Sequence, residues 1–210
     1  MTSKRSDVGT LTGPRTAEPP APAGPTATVA VKPLKIVIAG GFAAGKTTFV
    51  DAISEITPLT TEAPITNLSA GVDDRTAVAS KTTTTVAMDF GRITLSPTTM
   101  LYLFGTPGQD RFWFMWDELS KGAVGAVVLV DTRRLADCFP ALDYFEQRGV
   151  PYVVALNAFD GAVAHSPAAV REALTIDPAV PVLAVDARDR ASTKQALIAL
   201  VRHAIDRKRA

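Results

Sequence analysis

The sequence predicts an α/β fold in which helices cover both faces of a mixed, six-stranded sheet. From Leu34 onward, short β-branched apolar runs alternate with helical patterns, which is typical of parallel strands buried on both faces. Two further strand patterns, at 84–95 and 98–104, have only Ser96-Pro97 between them, which indicates a hairpin and one antiparallel edge. A glycine-rich stretch follows the first strand, at the end of the sheet where such folds bind ligands.

The other four strands are predicted from apolar runs that are bounded by turn residues and lack helical periodicity. These runs lie at 34–39, 123–130, 150–156 and 180–185. Helical patterns lie at 46–56, 109–121, 133–148, 167–174 and 192–208. The predicted order is therefore a strand, a helix, a hairpin and then alternating helices and strands.

Residues 1–33 differ in composition and are predicted to form a disordered tail before a domain at 34–210. The segment is rich in Pro, Ala, Thr and Gly and contains six of the 15 prolines. With almost no large apolar residue, it cannot bury enough surface to offset the entropy lost on ordering. A docking arm for a partner that recognises proline is the alternative.

The overall composition excludes several classes of function. The 210 residues have a net charge of +1, which does not indicate nucleic-acid binding through bulk charge. One cysteine and two histidines give little material for a disulfide framework, a zinc centre or a Ser/His/Asp triad. No apolar run approaches the roughly 18–20 residues of a membrane span. We therefore expect a cytoplasmic protein that does not itself insert into a membrane.

The stretch from Gly40 to Thr47, GGFAAGKT, fits the phosphate-binding pattern G-x-x-x-x-G-K-[ST] between a predicted strand and a predicted helix. Glycines let backbone N–H groups turn toward phosphate oxygens, and the helix N-terminus adds the positive end of its dipole. We expect Lys46 to contact the β- and γ-phosphates and the Thr47 hydroxyl to bind Mg²⁺. The predicted phosphate-binding residues are Gly40, Gly41, Ala43, Ala44, Gly45, Lys46, Thr47 and Thr48.

With this motif, the chain resembles the Ras-like small GTPases over about residues 34–208. The stretches from Thr82 to Gly91 and from Leu101 to Trp116 most resemble the GTPase subunit of actinobacterial conservon systems, which is related to bacterial polarity GTPases. The resemblance implies a GTP-binding switch in bacterial signalling that uses Mg²⁺ and hydrolyses GTP slowly. It also implies two partners, a roadblock-type regulator and a membrane sensor that resembles a histidine kinase.

The same resemblance assigns the residues around the γ-phosphate. The threonine run 82–85 precedes a strand, and its spacing to Asp89-Phe90 makes Thr85 the counterpart of the family threonine that binds Mg²⁺. In the loop after the hairpin, Gly108 matches the glycine whose N–H contacts the γ-phosphate, and Gln109 matches the residue that orients the attacking water. We expect Thr85 and Gln109 to act in catalysis together with the lysine of the phosphate loop.

The sequence departs from the family around the metal ion. The family has an aspartate at the position of Gly105, where it helps to hold the water shell of Mg²⁺, and its absence predicts weak coupling between Mg²⁺ and nucleotide. Asp131, at the end of an apolar strand, is either a spare carboxylate for the ion or a cap for the next helix. No arginine has an obvious place beside the γ-phosphate, and Arg75 and Arg111 are the candidates.

The stretch from Asn157 to Asp160 resembles the segment that recognises the base in these GTPases. The carboxylate of Asp160 can accept hydrogen bonds from the N1–H and the amine of guanine, donors that adenine lacks there. The family lysine that packs over the base is an alanine here. After the last strand come Asp186, Ala187 and Arg188, where the family has S-A-K. The Ala187 N–H is expected to meet the guanine O6, and Arg188 to stack on the base.

Two other functions remain open at this point. A P-loop phosphotransferase for a small molecule would use the same loop, but it needs an acceptor pocket and usually a cluster of arginines in a lid. A scaffold that holds the nucleotide without hydrolysis would act through its partners alone. Hydrolysis of GTP and ATP, with and without acceptors, separates the three functions.

Overall fold

A computed structural model of the chain describes residues 30–65, 84–108, 114–158 and 165–209. Its strands are β1 (Lys32–Gly40), β2 (Leu59–Ile65), β3 (Thr84–Ser96), β4 (Thr99–Gly105), β5 (Gly125–Val130), β6 (Tyr152–Asn157) and β7 (Val182–Val185). Its helices are α1 (Lys46–Ile53), α2 (Phe114–Ser120), α3 (Phe139–Gln147), α4 (Pro167–Ala173) and α5 (Arg190–Arg209), with a 3₁₀ helix at Leu135–Cys138. The strands form one sheet in the order β2-β3-β4-β1-β5-β6-β7.

The predicted α/β class with a mixed sheet is confirmed, and all six predicted strands are present. A seventh strand, β2, pairs antiparallel with β3 at the edge of the sheet. Its sequence, LTTEAPI, lacks the apolar run that marks the other strands. Its Pro64 suits an edge position, because a residue without an N–H weakens a central strand.

Both faces of the sheet are covered, as the continuous apolar strands predict. Every residue of β5 and of β6 is buried. On one face, Trp116 of α2 stacks on Phe145 of α3 with ring centroids 5.9 Å apart. On the other face, Phe49 of α1 and Leu200 of α5 are completely buried. Two apolar layers therefore hold the sheet between helices.

The carboxyl ends of five parallel strands meet at one edge of the sheet. Their last residues are Gly40, Gly105, Val130, Asn157 and Val185. Because β3 runs antiparallel to β4, the first half of β3 also lies toward this edge. The loops that carry the predicted site are thus brought together, as expected for an α/β sheet.

Some boundaries differ from the sequence predictions. Strand β1 begins at Lys32, two residues before the predicted start of the domain at residue 34. Residues 1–29 lie outside the described part of the chain, so the disordered tail stays a prediction. The helix predicted at 133–148 is divided into the 3₁₀ helix and α3, which has Pro140 in its first turn, where a missing N–H is tolerated. Among the described residues, no helix has the length and hydropathy needed to cross a membrane.

Candidate nucleotide-binding site

The loop between β1 and α1 turns so sharply that it requires glycine at two positions. Gly40 and Gly45 have φ angles of +138° and +101°, a region that L side chains rarely adopt. A Cβ on Gly40 would lie 2.3 Å from the carbonyl oxygen of Leu129, and a Cβ on Gly45 would lie 2.4 Å from Asn157 Nδ2. The glycines of the predicted phosphate-binding motif are therefore explained by the path of the backbone.

Lys46 begins α1, and its amine folds back onto the loop. Its Nζ donates to the carbonyl oxygens of Gly40 and Gly41, at 3.0 and 2.6 Å, and the residue is 9% exposed. Burial lowers the pKa of Lys46 from 10.5 to about 8, and the negative charge of Asp89 opposes this shift. An anion in the loop would favour the charged amine, so the position of Lys46 suits its predicted contact with phosphate.

Gly108 brings the loop after β4 against the phosphate loop. A Cβ on Gly108 would lie 2.7 Å from Lys46 Nζ and 3.0 Å from both the N and the Cα of Phe42. A side chain at this position would require Lys46 Nζ to shift and would crowd the backbone of Phe42. The backbone of Gly108 thus lies beside the amine that is predicted to contact the γ-phosphate, which is where its own predicted contact places it.

A carboxylate that the sequence analysis did not assign lies next to Thr47. The Thr47 hydroxyl donates to Asp89 Oδ2 at 2.7 Å, and Asp89, on β3, is 7% exposed. Thr48, the residue after Thr47, is exposed. Thr85, the other predicted metal ligand, lies near the start of β3 opposite Pro64. The side chain of Thr85 lies outside the described part of the chain, so its role stays a prediction.

Asn157 joins the phosphate loop to the loop after β7. Its Nδ2 donates to the carbonyl oxygen of Ala44 at 3.0 Å, and its Oδ1 accepts from the backbone N–H of Ala187 at 3.1 Å. The residue is 4% exposed. The structure thus uses the Ala187 N–H, which was predicted to meet the base O6, to hold Asn157. Both ends of the Asn157 amide hold the two loops together.

Arg188 and Asp186 bind each other in the loop after β7. The guanidinium of Arg188 donates to both carboxylate oxygens of Asp186 at 3.1 Å, and the backbone N–H of Arg188 donates at 2.9 Å. These hydrogen bonds lower the pKa of Asp186. The guanidinium that was predicted to stack on a base is therefore engaged by a neighbouring carboxylate.

Two predicted residues, Gln109 and Asp160, lie outside the described residues, as do Arg75 and Arg111. Their roles stay predictions that depend on the sequence pattern. The chain leading to Asp160 is described, and the N–H of Ala158 donates to the carbonyl oxygen of Val185 at 2.7 Å. This bond continues the pairing of β6 and β7 toward the predicted base-binding segment.

Asp131, at the end of β5, is engaged by Arg133. Arg133 donates from Nε and Nη2 to the two oxygens of Asp131, each at 2.8 Å, and from its backbone N at 3.0 Å. In the same turn, Arg134 Nη2 donates to the carbonyl oxygen of Phe42 in the phosphate loop at 2.7 Å. The sequence analysis missed Arg134. Its position just after the end of β5 was the available signal.

The fold and this site define a P-loop protein with the topology of a GTPase G domain. Over residues 38–207, the sequence matches a family described as conserved hypothetical ATP binding protein, and the chain belongs to this family. An uncharacterized protein of Methanocaldococcus jannaschii is 28% identical over 129 residues, which are 60% of this chain and 71% of that protein.

Solved structures of the iron transporter FeoB are similar in fold. The G domain from T. maritima has a TM-score of 0.55 at 17% identity, covering 82% of this chain and 99% of that chain. The G domain from Methanococcus jannaschii has a TM-score of 0.54 at 15% identity, covering 84% and 100%. The chain spans only 64% of the longer T. maritima cytosolic domain, with a TM-score of 0.57, 17% identity and 82% of this chain covered. At these identities the likeness shows the fold alone.

Proposed function

We propose that this chain is a GTP-binding molecular switch with slow intrinsic hydrolysis that acts in bacterial signalling. The observation that supports the proposal is the close approach of Gly108 to the phosphate loop, where a Cβ on Gly108 would lie 2.7 Å from Lys46 Nζ and 3.0 Å from the backbone of Phe42. In this proposal the γ-phosphate binds beside this backbone, and the loop after β4 responds to its presence. Switching in GTPases depends on a segment whose conformation changes with the presence of one phosphate group.

In the proposed reaction, Lys46 and the N–H groups of the loop stabilise negative charge on the β- and γ-phosphates, and Gln109 orients the attacking water. Mg²⁺, when bound with the nucleotide, neutralises charge on the phosphate oxygens. The hydroxyls of Thr47 and Thr85 are the kind of oxygen ligand that this ion takes. Provided that neither Arg75 nor Arg111 reaches the γ-phosphate, we expect hydrolysis on the order of 10⁻⁴–10⁻³ s⁻¹.

The identity of the base separates this proposal from a second candidate. The description of the family names ATP, whereas a carboxylate at Asp160 favours guanine. An ATP-dependent P-loop enzyme that transfers phosphate to a small molecule is therefore the second candidate. Ala158, in place of the family lysine, is consistent with this candidate too, because it removes a contact with the base.

Single-turnover hydrolysis tests the proposal. The full chain is mixed with labelled GTP or ATP, with Mg²⁺, and with or without a panel of small-molecule acceptors. Slow release of inorganic phosphate from GTP supports a GTPase, and Gln109→Leu should reduce the rate without loss of GTP binding. Transfer of phosphate to an acceptor supports the phosphotransferase, and bound GTP that stays intact supports a scaffold that does not hydrolyse.

The two partners belong to the same proposal. A roadblock-type regulator and a membrane sensor are expected to bind the chain, and the sensor would recruit it to a membrane. A switch requires that at least one partner distinguish the two nucleotide states. Equal binding of both the roadblock-type protein and the membrane sensor to GTP-loaded and GDP-loaded chain would contradict this part of the proposal.

A further inference from the structure

Asp89 is a buried carboxylate beside the phosphate loop that the proposed function has not used. It is 7% exposed, and its Oδ2 accepts the hydroxyl of Thr47 at 2.7 Å. Thr47 is the residue whose hydroxyl is predicted to bind Mg²⁺. A buried carboxylate is costly unless a positive charge or several donors compensate it. A cation bound at Thr47 would supply this positive charge beside Asp89.

Asp89 also occupies the space where the resembled GTPases place an aspartate. Strands β3 and β4 pair with Phe90 opposite Phe104, which brings Asp89 beside Gly105. A Cβ on Gly105 would lie 2.9 Å from Asp89 Oδ2 and 3.0 Å from Asp89 Cβ. The carboxylate thus reaches, from the neighbouring strand, the volume that a side chain at position 105 would fill.

We propose that Asp89 holds the divalent cation of the bound nucleotide, at the ion or at its coordinated water, in place of a carboxylate at Gly105. The inference rests on the proposed function, because the phosphates supply the other ligands. Mg²⁺ usually binds through one or two carboxylates together with phosphate oxygens and water. The chain should therefore depend strongly on Mg²⁺, contrary to what the glycine at position 105 predicts.

The charge of Lys46 is consistent with this arrangement. Its amine donates to the carbonyl oxygens of Gly40 and Gly41, while the hydroxyl of the next residue, Thr47, donates to Asp89. A buried amine on α1 and a buried carboxylate on β3 therefore both lie beside the loop. The amine suits the phosphate oxygens, and the carboxylate suits the cation that accompanies them.

The test measures release of a fluorescent GDP analogue from the full chain, in excess Mg²⁺ and in excess EDTA. Wild type should release the analogue at least about tenfold faster in EDTA, a difference of roughly 1.4 kcal/mol. Asp89→Asn keeps an oxygen that can accept the Thr47 hydroxyl but loses the charge, so its two rates should differ by less than about twofold. Asp51→Asn, on an exposed position of α1, makes the same charge change and should behave as wild type.

An exchange of the two positions sharpens the test. In the double variant Asp89→Gly with Gly105→Asp, the carboxylate enters the same volume from β4, and the dependence on Mg²⁺ should return. Gly105→Asp alone places a second carboxylate against Asp89, with the close contacts given above. This single variant should melt at a lower temperature than wild type.

Two results would overturn the inference. One is a wild-type release rate that EDTA leaves unchanged, and the other is a wild-type response to EDTA in Asp89→Asn. A large drop in the melting temperature of nucleotide-free Asp89→Asn, with the response to EDTA kept, would mean that Asp89 only positions Thr47. If the chain binds no GDP analogue, the guanine assignment fails, and the same rates with an ADP analogue decide the role of Asp89. Binding of neither analogue rejects both proposals.

Discussion

The phosphate side and the base side of the candidate site are built in different ways. On the phosphate side, backbone turns and buried groups touch each other: Lys46, Thr47, Asp89 and Gly108 all lie within contact of the loop or of one another. On the base side, the described polar groups mostly form hydrogen bonds with other groups of the protein. Asn157, for example, joins two loops in this way. The predicted recognition of phosphate thus uses groups that the fold brings together, whereas the predicted selection of the base depends on Asp160, which lies outside the described residues.

The largest expected effect comes from a side chain at Gly45. Gly45→Val adds branched carbon atoms where even a Cβ would lie 2.4 Å from Asn157 Nδ2, at a φ of +101°. The variant should lose nucleotide affinity by at least about 100-fold, or roughly 2.7 kcal/mol, as measured by titration. It disrupts both sides of the site at once.

Gly122→Val is the matched control, because Gly122 also has a positive φ, +68°, but a Cβ there would meet nothing within 4 Å. It should cost about 1–2 kcal/mol of stability from backbone strain and leave nucleotide binding intact. Similar loss of binding in both variants would mean that the effect of Gly45→Val is general destabilisation.

The second-largest expected effect concerns Asn157, which links the phosphate side of the site to the base side. Asn157→Ala leaves the Ala44 carbonyl and the Ala187 N–H without their partner. We expect a loss of about 2–6 kcal/mol in the free energy of unfolding, from two buried groups at about 1–3 kcal/mol each. Urea unfolding measures this loss, and nucleotide affinity should fall in the same variant.

Tyr144→Phe serves as the control for Asn157→Ala. It removes the hydrogen bond that the hydroxyl of Tyr144, on α3, donates to Asp117, on α2. We expect a cost near 1 kcal/mol with unchanged nucleotide affinity. An Asn157→Ala variant that unfolds and binds like Tyr144→Phe would show that Asn157 does not couple the two sides.

A smaller effect tests the buried amine on the phosphate side. The pKa of Lys46 is about 8 in the free protein, and a polyphosphate beside it should raise that pKa. Nucleotide binding at pH 8 should then take up about half a proton, and affinity should fall as the pH rises above 8. At pH 6 the amine is already charged, so it should take up no proton on binding.

Calorimetry in two buffers of different ionisation enthalpy measures the number of protons taken up. The control is Lys46→Arg, whose guanidinium stays charged throughout this range. Binding enthalpies of wild type at pH 8 that do not depend on the buffer would contradict the lowered pKa of Lys46.

The smallest expected effect is on the base side, at Arg188. Its bond to Asp186 joins side chains that are 55% and 33% exposed, and such pairs contribute about 0–1 kcal/mol. Arg188→Ala should change nucleotide affinity by less than about threefold. A loss of tenfold or more in the same titration would show that Arg188 leaves Asp186 and stacks on the base.

Local patterns in the sequence were sufficient to predict the phosphate loop and the order of strands and helices. The glycines, the lysine and the apolar runs each depend on neighbours within a few residues. Strand β2 was missed because its polar sequence has no such pattern. Asp89 was noticed only as a marker for Thr85, since its contact with Thr47 depends on how β3 pairs with β4. Contacts of this kind come from strand register, which a single sequence does not display.

The central claim, that this P-loop protein binds guanine nucleotides through Asp160, is tested most directly by competition. Unlabelled GDP, GTP, ADP and ATP displace a fluorescent GDP analogue from wild type and from Asp160→Ala, in excess Mg²⁺. We predict that the guanine nucleotides bind wild type at least about tenfold more tightly than the adenine nucleotides, or roughly 1.4 kcal/mol. Asp160→Ala should lose this preference while its release of nucleotide still responds to EDTA. Equal or tighter binding of ADP and ATP to wild type, or an unchanged preference in Asp160→Ala, would contradict the claim.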